Sequence, residues 1–308
     1  MSVWEFEKLM MNNLLKMNRI TNVQDIGSSP NSTKPNVSSS TGNLKRFISF
    51  SGGVESTTMC ILYGKGATAI WCDTGAEHDE MYQRIDLCEK MLKEMHNGDF
   101  ELVRVKPSVK IKGKMIDNLL DAVIEWKFMP TVRERWCTGK FKIIPIDNFL
   151  KQQGDCELMI GFNADEEPSK DRTGNFMKCK NVSYSYPLYN DGLDRKDCES
   201  ILYEHNLHPE FPIYMKRGGC FMCLFKDKPQ YKAMYLFDKK TFERVKQFEI
   251  DYQGTRKRFF PIMAHTGVSM QQVEEEVQRE IALWGFSQVL EMYSNVEQKQ
   301  ACGAFCHR

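Results

Sequence analysis

The sequence has no apolar run that approaches the roughly 20 residues a helix needs to cross a bilayer. Its formal net charge is only +1 at pH 7, so no excess of one sign attracts the whole chain to nucleic acid or to a membrane surface. The first residues mix Glu5, Glu7 and Lys8 with apolar side chains, unlike the core of a secretory signal. We therefore expect a cytoplasmic protein with no membrane partner.

Two familiar phosphate-binding motifs are also absent. No GxxxxGK(S/T) segment occurs, which argues against a P-loop NTPase, and no GxGxxG follows a predicted strand, which weakens the case for dinucleotide binding. Cysteine, in contrast, is plentiful, with 11 in the chain. Without a sign of export, these cysteines indicate free thiols, a metal site or an iron–sulfur cluster rather than a disulfide framework.

The chain divides into four predicted segments. Residues 1–20 carry apolar side chains at helical spacing, which predicts an amphipathic helix that docks on its own domain or pairs two copies into a homodimer. Residues 21–43 are rich in Ser, Asn, Gly and Pro, which predicts a flexible linker. Residues 44–226 form the predicted main domain, which includes a C-x-x-C motif. Residues 227–308 form a predicted helical region that ends in a cysteine-containing tail.

Strand-like and helix-like patterns alternate through the main domain. This alternation is typical of βαβ units and predicts a doubly wound, mostly parallel α/β sheet, in which ligands bind beyond the C-terminal ends of the strands. The predicted strands cover 46–50, 67–72, 100–105 and 157–161, and the predicted helices cover 54–63, 78–96, 114–127, 140–153, 229–250 and 269–292. The first two strands end just before Ser51 and Asp73, so we expect these two turns to share one crevice.

The turn after the first strand, Ser51–Gly53, is followed by hydroxyls at Ser56 and Thr57. Glycine permits a positive φ and lets the backbone come close to a ligand. If a helix begins at Val54, its unpaired amides and the positive end of its dipole add to the same site. The turn is therefore predicted to hold a phosphate group.

Several segments, in this order, resemble the PP-loop ATP pyrophosphatases, also called the adenine nucleotide α-hydrolase superfamily, and within it the phosphoadenylyl-sulfate (PAPS) reductase family. They are SGGVEST at 51–57, WCDTGAEHDEMYQ at 71–83, RERWCTGKFKIIPIDNFL at 133–150, GFNADEEPSKDR at 161–172 and GGCFMC at 218–223. The resemblance implies the adenine nucleotide α-hydrolase fold. It also implies a bound adenine nucleotide, either ATP or else PAPS or adenylyl sulfate, together with Mg²⁺.

The resemblance assigns the nucleotide contacts residue by residue. They are Ser49, Ser51, Gly52, Gly53, Glu55, Ser56, Thr57, Asp73 and Thr74. Among these, Asp73 would lie near the ribose or a magnesium ion, which makes it a catalytic candidate.

Two reactions and one binding role remain open. The first reaction is cleavage of ATP to AMP and pyrophosphate, which activates a substrate for sulfur transfer from a separate donor. The second is reduction of PAPS or adenylyl sulfate to sulfite with a thioredoxin-like partner. The third possibility is a nucleotide-binding module without catalysis. The intact 51–57 loop favours ATP cleavage, since reductases have usually lost this pattern. The tail ACGAFCHR, however, resembles the reductase nucleophile segment and makes Cys302 a catalytic candidate.

Basic residues cluster around Cys137 and are predicted to contact a substrate anion. Arg binds oxyanions with two parallel hydrogen bonds, and Lys adds a point charge. The resemblance favours Arg135 and Lys142 as catalytic contacts, and the further anion contacts are Arg133, Lys140 and Arg172. Bases also alternate with aromatic residues in GTRKRFF at 254–260, where a tRNA or DNA substrate would bind.

Cys220 and Cys223 form a C-x-x-C pair after a Gly-Gly turn. On its own, a pair at this spacing fits zinc, an iron–sulfur cluster or a redox role. The resemblance to cluster-bearing adenylyl-sulfate reductases implies a 4Fe–4S cluster on Cys137, Cys220 and Cys223, with the fourth ligand from Cys302 or Cys306. Zinc and free thiols remain the alternatives.

Overall fold

The computed structural model describes residues 44–131, 133–168, 179–254, 260–263 and 266–294. The predicted N-terminal helix and linker lie outside these ranges, as do Arg172, most of the basic stretch at 254–260, and the tail with Cys302 and Cys306. The homodimer and the nucleic-acid contact expected at these segments therefore stay predictions, as do the domain boundaries.

Five parallel strands form the central sheet. Their ranges are Lys45–Ser49 (β1), Ala67–Cys72 (β2), Phe100–Val105 (β3), Cys156–Met159 (β6) and Val182–Ser185 (β7), and a separate antiparallel hairpin pairs Val109–Ile111 (β4) with Lys114–Ile116 (β5). The sheet order is β3-β2-β1-β6-β7, and each adjacent pair is parallel. The chain thus runs from β1 outward to β3 and returns on the other side of β1 at β6. Doubly wound sheets bind ligands at such a reversal.

Side chains of β1 alternate between two apolar layers, one on each face of the sheet. Ile48 is fully buried in the larger layer, where β1 is flanked by Ala69 of β2 and Met159 of β6. Phe47 belongs to the smaller layer on the opposite face, together with Leu158 of β6. A parallel sheet that is buried on both faces explains why its central strands read as nearly continuous apolar runs.

Helices cover both faces of the sheet and build the C-terminal part. Their ranges are Val54–Tyr63 (α1), Asp79–Met95 (α2), Leu119–Trp126 (α3), Trp136–Thr138 (α4) with the π-helical turn Gly139–Ile143, Ile144–Leu150 (α5), Pro187–Asn190 (α6), Arg195–Glu204 (α7), Lys228–Phe237 (α8), Lys239–Gly254 (α9), Met270–Trp284 (α10) and Phe286–Ser294 (α11). α1 packs on α2 and α7, while α8 to α11 pack mainly on one another. Among the helices in the described ranges, none is long and apolar enough to span a membrane.

The predicted doubly wound α/β sheet with a helical C-terminal part is confirmed. The helix predicted over 114–127 is wrong at its start, because the chain first forms the β4–β5 hairpin. Gly113 turns that hairpin with φ +88°, a conformation that favours glycine. α3 then begins at Leu119, where the Asn118 side chain accepts hydrogen bonds from two first-turn amides.

The two long C-terminal helices predicted over 229–250 and 269–292 are each divided in two. α8 ends at Phe237, and its C-cap residue Asp238 has φ −144° and ψ 70°, which are not helical. α10 ends at Trp284, and its C-cap residue Gly285 has φ +80°, which interrupts the helix before α11. The edge strand β7 was not predicted, since its four residues are too few for a clear alternation.

Candidate nucleotide-binding site

A cleft of about 540 Å³ opens next to the C-terminal ends of β1 and β2. The predicted site residues that line it are Ser49, Ser51, Gly53, Glu55, Thr74, Arg135, Cys137, Lys142, Cys220 and Cys223. Ser56 and Thr57 are instead buried in α1, and neither Gly52 nor Asp73 is among the described residues that line the cleft. The turns after β1 and β2 therefore contribute to one crevice.

Gly52 and Gly53 meet different requirements in the turn that joins β1 to α1. Gly52 has φ +71°, and a Cβ added there would lie 3.0 Å from Cδ1 of Ile85 and 3.3 Å from Cε of Met81. Both its conformation and its packing against α2 therefore require glycine. Gly53 has an ordinary φ of −79° and is the N-cap of α1. A methyl group at Gly53 would thus be added to the cleft wall without backbone strain.

Hydroxyl groups brace this turn from inside. The Ser51 amide donates to Ser56 Oγ at 3.1 Å, and Ser56 Oγ donates to the Gly53 carbonyl at 3.3 Å. The first backbone hydrogen bond of α1 runs from Thr57 N to Gly53 O at 3.0 Å. No side chain within the described residues caps α1, so the amides of its first turn remain available to an anion from the cleft.

A buried guanidinium lies behind the turn. Arg84 of α2 is only 8% exposed, and its Nε donates to the Gly52 carbonyl at 3.3 Å. Its Nη2 donates to the Leu207 carbonyl and lies 3.5 Å from Thr57 Oγ1. Burial lowers the pKa of Arg84. This side chain therefore holds the turn in place and puts a positive charge close to it.

Glu55 is engaged in an ion pair that ties the start of α1 to α7. Its Oε1 accepts from Arg195 Nη1 at 2.6 Å and from Asn163 Nδ2 at 3.2 Å. Arg195 in turn donates from Nε to Glu199 at 2.7 Å. The nearby carboxylate of Glu55 raises the pKa of Arg195 despite its partial burial.

The turn after β2 contains two further carboxylates. Asp73 Oδ1 accepts from the Gly75 amide and from the Tyr82 hydroxyl, each at 2.9 Å. Thr74 lines the cleft, and its hydroxyl donates at 2.9 Å to Oε1 of Glu77, which is 4% exposed. Asp73 thus shapes the turn, while Glu77 is the buried carboxylate that reaches the cleft wall.

Four cysteines line the same cleft, and they are Cys72, Cys137, Cys220 and Cys223. Cys220 Sγ lies 3.7 Å from both Thr74 Oγ1 and Glu77 Oε1, because the C-x-x-C loop docks on the turn after β2. Burial raises the pKa of the Cys137 and Cys220 thiols, although the charge of Lys142 opposes the shift. Lys142 Nζ itself lies 3.8 Å from Glu77 Oε1.

The arrangement of these thiols does not fit a metal centre. Within the described residues, no group of three or more His, Cys, Asp or Glu side chains is placed to hold a metal ion. Cys302 and Cys306, which were expected to supply a fourth ligand, lie outside those residues. The cluster and the zinc ion therefore stay predictions without support from this geometry.

Residues 45–224 match the sequence model of the phosphoadenosine phosphosulfate reductase domain, which is more than half of the chain. The chain belongs to this family. The predicted membership in the adenine nucleotide α-hydrolase superfamily is thereby confirmed. Membership implies that the chain binds an adenine nucleotide and acts on sulfonucleotides or related adenylyl substrates. A comparison with curated proteins gave no match.

In this phosphoadenosine phosphosulfate reductase-family chain, the predicted cations are divided between the cleft and the surface. Arg135 and Lys142 line the cleft. Arg133 is exposed, and Lys140 places Nζ 5.5 Å from the ring centre of Trp126. Neither of these two is among the described cleft-lining residues, so of the four predicted cations that the structure describes, Arg135 and Lys142 lie at the cleft.

Several site residues were missed by the sequence analysis. They are Glu77, Arg84, Asn163, Arg195, Lys216, Arg217 and Phe225. For Lys216 and Arg217 a clue existed, because a basic pair directly precedes the glycines of the C-x-x-C loop. For Arg84 the sequence contained no such clue, since an arginine on an amphipathic helix is usually a solvated surface residue.

Proposed function

We propose that the protein binds ATP in this cleft and cleaves it to AMP and pyrophosphate, so that an activated substrate accepts sulfur from a separate donor. The observation that carries this proposal is the uncapped start of α1, which follows the glycine turn and lines the cleft. Amides at such a helix start bind phosphate oxygens, and the positive end of the helix dipole adds to the attraction.

The phosphates would lie against the amides of Val54 and Glu55, because the Gly53 amide already donates to Ser51 Oγ at 3.4 Å. The adenine would lie against the apolar part of the wall, where Phe50 and Trp71 line the cleft near the ends of β1 and β2. Apolar walls with a few convergent polar groups are typical of nucleotide pockets. In this proposed orientation the α-phosphate would lie between the helix start and the cationic side chains.

Cleavage would form a bond between an acceptor oxygen and the α-phosphorus and break the bond from that phosphorus to the leaving pyrophosphate. In a second step, sulfur from the donor would form a bond to the acceptor atom that carries this oxygen, and the bond from that atom to the oxygen would break, so that AMP leaves. In the first step, negative charge grows on the departing pyrophosphate as its bond breaks. Preorganised amides at α1, together with Lys142 and Arg135, would stabilise that charge. These amides do not have to reorient during the reaction, because hydrogen bonds of Ser51 and Ser56 already fix the turn.

Magnesium would accompany ATP and neutralise part of its phosphate charge. Such an ion keeps several waters and is held chiefly by phosphate oxygens. The resemblance points to Asp73 as a carboxylate near the ion, but Asp73 is hydrogen-bonded to Gly75 and Tyr82. Glu55 is likewise paired with Arg195. We therefore assign the ion to the phosphates and no protein ligand to it.

The protonation of the thiols supports a separate sulfur donor. Burial raises the pKa of Cys137 and Cys220, so both are thiols rather than thiolates at neutral pH. The thiolate is the nucleophilic form of cysteine. Direct attack by either residue on a substrate is therefore disfavoured.

Reduction of a sulfonucleotide is the second candidate, favoured by the name of the family and by the four thiols in the cleft. In that reaction a thiolate attacks the sulfonate sulfur, the bond from sulfur to the phosphate oxygen breaks, and the nucleotide leaves. A dithiol of a thioredoxin-like partner then reduces the cysteine-bound sulfonate and releases sulfite. Cys302, the predicted nucleophile, would have to reach the cleft from outside the described residues.

Incubation of the full-length protein with Mg²⁺ and ATP labelled at the α-phosphate distinguishes the candidates. Formation of AMP and pyrophosphate supports the proposal. Release of sulfite from PAPS or adenylyl sulfate, in the presence of a dithiol reductant, supports the second candidate. If ATP binds saturably but neither AMP with pyrophosphate nor sulfite is formed, the protein is a nucleotide-binding module without catalysis. That result would contradict both reactions.

The double variant Ser51→Ala with Gly53→Ala tests the loop directly. We expect ATP binding to be lost, because a methyl at Gly53 is added to the cleft wall and the Ser51 hydroxyl is removed. Ser183→Ala is the matched control, since this exposed hydroxyl on β7 bonds only the Cys156 carbonyl. Undiminished ATP affinity in a folded double variant would contradict the proposal.

A further inference from the structure

The β4–β5 hairpin concentrates positive charge in a chain that is nearly neutral overall. Residues 105–116 contain four lysines and no acidic residue, whereas the whole chain has a formal net charge of +1. All four lysines are exposed, and they are Lys106, Lys110, Lys112 and Lys114. A local excess of positive charge attracts a polyanion and raises its rate of association.

Most of this charge is not neutralised by the rest of the molecule. Lys112 places Nζ 3.3 Å from Oε1 of Glu125 and donates to the Glu125 carbonyl at 2.6 Å. In the part of the chain that the structure describes, no carboxylate forms an ion pair with the other three lysines. Like charges on one short hairpin repel each other, and a bound polyanion offsets this repulsion. The hairpin therefore favours an anionic partner.

The hairpin is fixed on the body of the protein, so its lysines are held in place before a partner binds. Ile111 is 2% exposed, and Val109 and Ile116 pack against the same apolar layer. Lys110 stands directly opposite Met115, and because side chains alternate along a strand, this pair lies on the other face of the hairpin. Met115 is 62% exposed. The outer face thus presents a cation beside an apolar side chain.

The helix α3 connects the hairpin to the cleft. Both strands of the hairpin pack against this helix, and the Glu125 carbonyl that holds Lys112 belongs to its last turn. Leu119, the first residue of α3, lines the cleft. Since α3 has eight residues, its two ends are separated by only about 12 Å. A chain-like ligand that lies on the hairpin can therefore reach the cleft.

Two aromatic rings and a further lysine continue this surface at the end of α3. The ring of Trp126, the last residue of α3, meets the ring of Trp136 edge-on, with 4.6 Å between their centres. Lys140 places Nζ 5.5 Å from the centre of the Trp126 ring. Trp136 directly follows Arg135, which lines the cleft. Lysines interleaved with aromatic rings are typical of surfaces that bind single-stranded nucleic acid, because bases contact the rings and phosphates bind the cations.

We propose that the β4–β5 hairpin, together with Lys140 and the two tryptophans, binds single-stranded nucleic acid on the surface outside the cleft. The phosphates bind the lysines of the hairpin, and a base contacts the tryptophan pair. An acidic protein would be matched by the lysines alone and would give the tryptophans no role. The inference rests on the proposed function in one respect only, because the strand would bring the acceptor of sulfur to the cleft.

Fluorescence anisotropy of the full-length protein with a labelled single-stranded oligonucleotide of mixed sequence tests the surface. We expect saturable binding that weakens linearly with the logarithm of the salt concentration. The triple variant Lys106→Gln, Lys110→Gln, Lys114→Gln should weaken binding about tenfold or more and reduce the salt slope by about 0.7 for each lysine that contacts a phosphate. The matched control has the same net charge and should bind the strand nearly as the parent protein does. It replaces by glutamine three exposed lysines outside the hairpin, and they are Lys65, Lys180 and Lys240.

Trp126→Leu separates contacts to the bases from contacts to the phosphates. It should weaken binding about fivefold or more and leave the salt slope unchanged, in a protein that melts at the temperature of the parent protein. Unchanged affinity in the triple variant would place the strand on another surface, such as residues 254–260, and would overturn the inference. Equally tight binding of a duplex of the same sequence would overturn it too, and so would displacement of the strand by polyglutamate at an equal concentration of charge.

ATP cleavage by the parent protein, measured with the strand present, tells this inference apart from the proposed function. If the strand binds at the hairpin but no AMP and pyrophosphate are formed, the proposed function fails and this inference stands. If ATP is cleaved but the strand does not bind at low ionic strength, the inference fails and the proposed function stands.

Discussion

At the scale of single residues, His78 is held neutral in an apolar wall between α2 and the C-x-x-C loop. Its ring is 1% exposed and lies near the rings of Tyr214 and Phe221. Burial, followed by the charges of Lys226 and Arg244, lowers the pKa of His78 to about 2. Although Glu80 Oε2 lies 3.9 Å from Nδ1, burial prevails because the charged ring would lose its hydration.

Because of this low pKa, the free energy of unfolding is expected to decrease as the pH falls below about 6.5. The unfolded chain binds a proton at an ordinary histidine pKa of about 6.5 and the folded chain does not, so the contribution of His78 is present above that pH. It is lost as the pH falls, by about 1.4 kcal/mol per pH unit. We expect His78→Phe to fold and to remove this slope between about pH 6.5 and 4.5. Urea unfolding at a series of pH values measures how the free energy of unfolding depends on pH. The same dependence in His78→Phe and in the parent protein would contradict the low pKa of His78.

Arg84 allows a second prediction at this scale. Arg84→Met keeps the apolar stem but removes the donors to the buried carbonyls of Gly52 and Leu207, which costs about 1–3 kcal/mol of unfolding free energy. Because Arg84 supports the turn and does not line the cleft, the Kd for ATP should rise about tenfold while bound ATP turns over at a similar rate.

Arg104→Met is the control for Arg84→Met. Arg104 pairs with Asp86 at 2.6 Å and with Glu89 at 2.5 Å in an exposed position, so its loss should change stability by less than about 1 kcal/mol. Chemical denaturation and ATP titration of the two variants measure both effects. An Arg84→Met protein with the parental ATP affinity would show that the guanidinium does not position the loop.

At the scale of elements, the turn between β1 and α1 was predictable because its requirements are local. Glycine at 52 is needed for a positive φ, and α1 begins at Val54 as its sequence predicts. The neighbours of the turn were not predictable. Arg84 reaches it from α2, and Arg195 reaches Glu55 from α7, through contacts that depend on how three helices pack. Spacing along the chain carries no information on such contacts.

The turn also allows backbone strain to be separated from packing. Gly52→Ala and Gly98→Ala both place a side chain at positive φ, with φ values of +71° and +83°, which costs roughly 1–2 kcal/mol in each. Only Gly52→Ala meets a neighbour, Ile85 at 3.0 Å, whereas nothing lies within 4 Å of a Cβ at Gly98. We expect Gly52→Ala to be the less stable by a further ~1–3 kcal/mol in urea unfolding. If both variants lose the same free energy of unfolding, α2 shifts enough to accommodate the added methyl group.

At the scale of the whole molecule, the family motifs end near residue 224, but the apolar core does not. Phe221 beside the C-x-x-C motif belongs to the same buried layer as Tyr231 of α8 and Ile48 of β1. Tyr252 of α9 accepts a hydrogen bond from the Met129 amide at 3.2 Å, which links the C-terminal helices to the segment after α3. The predicted boundary between the main domain and the helical region, at residue 226, was drawn where the family motifs end. Sequence patterns alone do not reveal that one apolar core extends across this boundary.

A shared core predicts that β1 and the C-terminal helices unfold together. Val245 of α9 is fully buried, and Val245→Ala should reduce the unfolding free energy by about 2 kcal/mol. Native-state hydrogen exchange of the full chain measures the effect on β1. The slowest amides of this strand, such as that of Ile48, should exchange faster, by the factor that corresponds to the lost free energy of unfolding. Lys240→Ala, an exposed change on the same helix, should leave them unaltered. If Val245→Ala accelerates exchange only in α8 to α11, the helices form a separate cooperative unit, and the nucleotide cleft does not depend on them for its stability.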